Sequence, residues 1–156
     1  MIQTRIGRSI FFFGLMFFSF SSIAQQDSLA LQMDWLVGKW ITTDSLMIEE
    51  WQPFEKGFKG VGYLYQEGNG TAEEPTERLQ LKYVDGVINY VAHPKQNSKP
   101  VFFKNLGINE YTYTFYSAEN DFPKWIIYQR INIAFMRVII KNDEKEQEFY
   151  FHKMTP

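Results

Sequence analysis

The sequence contains no cysteine, so no disulfide, no thiol nucleophile and no thiolate metal site can be built from it. Histidine is nearly as scarce, with only His93 and His152, too far apart to form a zinc motif. Positive charge is not in excess either: 16 basic residues face 18 acidic ones, for a net charge of −2. That balance gives no electrostatic footprint for nucleic acid and no attraction to anionic lipid. There is no phosphate-cradling glycine loop, nucleophile elbow, Ser-His-Asp order or EF-hand pattern. A long hydrophobic run is missing as well. The apolar stretch from Ile10 to Phe20, interrupted by Gly14 and Ser19, falls short of the roughly 20 residues that a membrane span needs.

That stretch does have another use. Arg5 and Arg8 precede it and Ser22-Ile23-Ala24 follows it, which together make the n-region, h-region and small-residue cleavage site of a signal peptide. Residues 1–24 are therefore expected to be removed, leaving Gln25 as the first residue of an exported protein, periplasmic or extracellular and with no stable membrane insertion. Cleavage would leave 14 basic against 18 acidic residues, a net charge of −4. The remaining residues 25–156 suit one domain with a core large enough to hold without disulfides.

Aromatic residues are plentiful in that domain, many beside Val, Ile or Thr in short runs, as strands favour. One helical stretch is expected, Ser28 to Val37, where Leu29, Met33 and Leu36 recur at helical spacing before Gly38 ends it. Everything after it reads as strand: 39–43, 46–52, 58–66, 77–84, 87–93, 101–106, 111–117, 125–131, 135–140 and 146–152, about ten in all. Turn residues separate them at meander spacing, and the polar 67–75 segment reads as a longer loop. Asp85-Gly86 is the sharpest signal, since a two-residue Asp-Gly loop suits a type I′ hairpin. It pairs Val84 with Val87, Tyr83 with Ile88, Leu81 with Tyr90 and Leu79 with Ala92. One apolar face results, with Arg78, Gln80, Lys82, Asn89 and His93 on the wetter one. The expected fold class is all-β: an antiparallel up-and-down barrel of about ten strands with a short N-terminal helix.

From Leu36-Val37-Gly38-Lys39-Trp40 onward the chain resembles the calycins, the superfamily of lipocalins, fatty-acid-binding proteins and nitrobindins. Further matches are Glu50-Trp51, Glu77-Arg78-Leu79, Tyr90-Val91-Ala92, Pro100 to Phe103 and Glu119-Asn120-Asp121-Phe122-Pro123-Lys124, followed by Ile126 and Tyr128. Together they are similar to a bacterial, calycin-like family of domains of unknown function. The resemblance implies a barrel with the Trp40 indole at its base. Lipocalins set an arginine near the chain end across that indole; the last run here has none, which leaves Lys153 or Arg137 to substitute. Nitrobindin likeness would make His152 an axial haem ligand. Alternation places His152 with Glu146, Glu148 and Tyr150, opposite Gln147, Phe149 and Phe151, so a strand histidine is expected and no cofactor. His93 reads as a surface residue.

Carboxylates are the more telling groups. Glu77 shares parity with Leu79, Leu81 and Tyr83 and is expected to point inward near a barrel mouth. Of Glu49 and Glu50, one must face inward beside Trp51. A buried carboxylate needs a partner or a raised pKa, and Arg78, Arg130 and Tyr128 are the candidate neighbours. In the Asn120-Asp121-Phe122-Pro123 loop, an Asx side chain is expected to cap the turn and Phe122 to plug the barrel end. The leading functional expectation is a barrel holding a small apolar ligand among Trp51, Glu77, Leu81, Tyr83, Tyr90 and Tyr128. The alternatives are an enzyme using inward carboxylates, for which two of them must converge in the pocket, and a filled barrel acting as a structural or interaction domain.

Overall fold

The computed structural model describes residues 32–66, 70–71, 74–109 and 111–155; the expected signal peptide and the start of the expected helix lie outside them. Alternating apolar and polar residues with β-branched and aromatic side chains produce eleven strands: β1 Gly38–Thr42, β2 Met47–Phe54, β3 Gly57–Gln66, β4 Gly70–Thr71, β5 Glu77–Val84, β6 Val87–Pro94, β7 Val101–Ile108, β8 Thr112–Tyr116, β9 Trp125–Arg130, β10 Phe135–Lys141 and β11 Glu146–Lys153. Each long strand pairs antiparallel with the next, and β11 returns to β1, so ten strands close into an up-and-down barrel. The extra element is β4, a two-residue bridge to the end of β3 within the expected 67–75 loop.

The Asp85-Gly86 hairpin has the expected register, Val84 opposite Val87 through Leu79 opposite Ala92. Both turn residues have positive φ, 51° for Asp85 and 78° for Gly86, as a type I′ turn requires. Leu79, Leu81, Tyr90 and Ala92 are buried together, with Tyr83 and Ile88 packed against them. Asn89 departs from the expectation of a wet face: it is only 3% exposed. Its Nδ2 donates to the carbonyl of Val87 at 2.9 Å, and Val91, two residues on along the same face, is buried as well.

Of the expected helix, the described part is one 3-10 turn, Asp34–Leu36, closed by bonds from Leu36 N to Met33 O (2.9 Å) and Val37 N to Asp34 O (3.1 Å). Gly38, at φ 125°, then redirects the chain into β1. The described turn caps one end of the barrel. Met33 and Leu36 are fully buried, and Trp35 packs edge-on to Trp40 with ring centroids 6.0 Å apart. The Trp40 indole donates to the Leu36 carbonyl at 2.7 Å. Lys153 lies over that indole, with Nζ 5.1 Å from the ring centroid and a 3.0 Å bond to the Trp35 carbonyl. Lys153 therefore takes the position across the indole, whereas Arg137 pairs with Glu148 on the outer face.

Two inward glycines on β3 make room for larger neighbours. A Cβ on Gly60 would stand 2.8 Å from the Trp51 ring, and one on Gly62 would stand 2.8 Å from Glu77 Cγ. Small residues there let Trp51 cross the barrel and let the Glu77 side chain lie flat against β3.

Candidate ligand cavity

The end opposite the Trp40 cap is hollow. A cavity of about 460 Å3 opens between the ends of β2, β5, β6 and β7 and the 119–123 loop. Its apolar wall comes from inward positions on successive strands, among them Ala92, Phe103, Ile126, Val138 and Phe151. Glu49, Glu77, Tyr90 and Tyr128 supply polar groups inside, and Glu119, Asn120 and Asp121 stand at the rim with Phe122. In that rim loop Asn120, rather than Asp121, makes the turn bond, donating from Nδ2 to the Pro123 carbonyl at 2.7 Å. Lys145 stacks on the Phe122 ring with Nζ 4.5 Å from its centroid.

Glu49 is the inward member of the Glu49-Glu50 pair and is buried. Its Oε2 accepts from the Trp51 indole at 2.9 Å, and the Tyr128 hydroxyl donates to both its oxygens at 3.0 Å. The Tyr90 hydroxyl lies 3.4 Å from that of Tyr128. Because Tyr128 gives its proton to Glu49, Tyr90 completes a chain that runs Tyr90 to Tyr128 to Glu49. Tyr128 is thus the partner of the buried carboxylate; Arg78 is exposed, and Arg130 stacks on Trp35 instead.

Burial raises Glu49 to about 7, against donation from Trp51 that lowers it, with the nearby Glu77 charge raising it further. Burial also raises Glu77 above the usual carboxyl range. Both phenols are lifted well above their ordinary value, chiefly by burial, and stay protonated donors. Below about 4.5 Glu49 is protonated in folded and unfolded chains alike; between there and about 7 the unfolded chain ionises while the folded one keeps its proton. Folded stability should therefore fall as pH rises through that window. Thermal midpoints should show the decline in wild type and less of it in Glu49→Gln; identical profiles would mean that Glu49 ionises freely.

Of the residues the sequence nominated, Glu77, Tyr90 and Tyr128 border the cavity. Trp51 is buried behind it, bonded to Glu49 and packed on Tyr90 and Tyr128 at 6.3 Å. Leu81 and Tyr83 point inward but toward the other end of β5, away from the cavity. His152 lies on the outer face, its ring 6.4 Å from that of Phe135. His93 is exposed, its Nε2 3.2 Å from the Asn97 carbonyl. Glu49 was not singled out from Glu50 by sequence, although its two-residue spacing from Trp51 puts both on one face of β2. Phe103, Ala92 and Phe151 are wall residues that the sequence reading did not nominate for the site.

No protein-family model matches the chain, and neither do any curated protein or solved structure. Among the described residues, no group of three or more His, Asp or Glu is placed to hold a metal ion, and no helix is long and apolar enough to cross a membrane.

Proposed function

We propose that the chain is an exported, calycin-like barrel that takes a small, largely apolar molecule into the open half of its interior. The observation that carries this reading is the cavity of about 460 Å3, inside the range of roughly 300 to 1,000 Å3 typical of small-molecule sites. It joins an apolar wall to a few fixed polar groups, the composition such sites share. The capped end supports the calycin resemblance, since Trp40 and Lys153 occupy the positions of the indole and its cation. A barrel acting only as a packed interaction domain would have no use for so much unfilled interior.

A neutral, environment-sensitive apolar dye should bind saturably with a stoichiometry of one and perturb tryptophan fluorescence, because Trp51 shares Glu49 with the cavity. Intact-mass measurement of exported protein should give Gln25 as the first residue; retention of residues 1–24 would contradict export by cleavage.

A second reading, acid–base catalysis, is favoured by one feature. Glu49 and Glu77 converge on the same cavity, and Glu49 titrates near 7, where a general acid or base works best. On that reading Glu49→Gln abolishes turnover of a bound compound while leaving its affinity largely intact.

A further inference from the structure

We propose that the molecule held in this cavity carries a protonated amine on an apolar body, the ammonium group being received by Glu77 and Glu49. The inference rests on the binding reading above and names the ligand class for the same site.

The charge of the wall is one-sided. Among the described residues, four carboxyl groups border the cavity, Glu49 and Glu77 inside and Glu119 and Asp121 at the rim, and none of the lining residues is Lys, Arg or His. Lysines adjoining the rim are engaged elsewhere: Lys145 lies over the Phe122 ring, Lys95 pairs with Glu74 and Lys124 with Asp143. An acid ligand such as a fatty acid would bring a third carboxyl group against the two inside, with no cation among the described lining residues to offset its charge, which like-charge repulsion and desolvation both oppose. An ammonium group meets the opposite situation, with three N–H donors for carboxylate oxygens.

Glu77 is the less tightly held of the two inner carboxyls: among the described residues no side chain is seen to hydrogen-bond it. Its side chain packs against the bare face of Gly62, and burial is what raises its pKa. Glu77 is half-buried at the cavity wall, so the cavity is a side from which a donor can reach its carboxyl. Glu49, by contrast, is held by Trp51 and Tyr128 and sits deeper, so it adds charge without needing to move. Tyr90, Tyr128 and Phe103 line the same space and add aromatic rings, whose faces attract cations, to its wall. Acidic groups at the rim would also favour entry of a positive ligand over a negative one.

The test is displacement of the neutral dye by decylamine, decanol and decanoate, each below its aggregation concentration, at neutral pH and physiological salt. Decylamine should bind about tenfold tighter than decanol, a difference of roughly 1.4 kcal/mol, and decanoate should bind weakest. Glu77→Gln should reduce decylamine affinity by a similar factor and leave decanol unchanged. Equal affinities for amine and alcohol, or tighter binding of decanoate, would overturn the amine assignment while leaving the binding reading standing. An equal loss of decylamine and decanol in Glu77→Gln would overturn it too, by showing a packing effect. Should the dye bind to nothing in the cavity, both fall together.

Discussion

Trp40→Ala should destabilise the protein by about 3 to 5 kcal/mol, the range for large aromatic truncations in a core. The indole is fully buried, bonded to the Leu36 carbonyl, edge-on to Trp35 and covered by Lys153. Truncation removes ring area from the closed end, leaves a void beside Met33 and Leu36, and strands a buried carbonyl. The remaining cap cannot collapse into that space because Tyr113 fixes it from across the barrel, its hydroxyl donating to the Gln32 carbonyl at 2.5 Å. Trp40→Phe keeps most of the ring and should cost clearly less. Urea unfolding measures both. A loss below about 1 kcal/mol for the alanine variant would mean that the cap is not part of the cooperative core.

Leu81→Ala should cost about 2 to 5 kcal/mol for a related reason at a different depth. Leu81 is 1% exposed, opposite Phe58 on β3 and Tyr90 on β6. It lies in the filled half of the barrel, so a cavity created there is new empty volume rather than an extension of the existing one. Ligand affinity should change little while stability falls. A change under roughly 0.5 kcal/mol, typical of surface sites, would contradict the placement of Leu81 in the packed interior.

These two residues also show what could be read from the chain. Period-two alternation told which face each side chain takes, so ten strands, the hairpin register and the inward direction of Glu77, Leu81 and Tyr90 were all legible. It carries no information on depth along the barrel. Trp51, Leu81 and Tyr83 were therefore grouped with the cavity residues although they lie behind or beyond it. Depth depends on where the cap ends, and the described part of the cap, a 3-10 turn at Asp34–Leu36, marks no depth in the sequence pattern. β4 has only two residues and gives no periodic signal. Asn89 and Val91 share the outer face of β6 and are both buried, and alternation assigns a face without saying whether that face is covered. Whether the interior is hollow depends on volumes summed across strands: Gly60 and Gly62 are occupied by Trp51 and Glu77, while Ala92 borders open space. No single stretch of sequence contains that comparison.

The most direct test of a hollow, ligand-holding barrel is to fill it. Ala92 is buried on β6 and borders the cavity, so a tryptophan at that position would project into the space without needing to displace the cap. The measurement is titration of wild type and Ala92→Trp with the neutral apolar dye, with thermal midpoints recorded for both. The account predicts one saturable site in wild type and at least about a tenfold loss of affinity in the variant, with its midpoint near that of wild type. Equal dye affinity in the two proteins would contradict it.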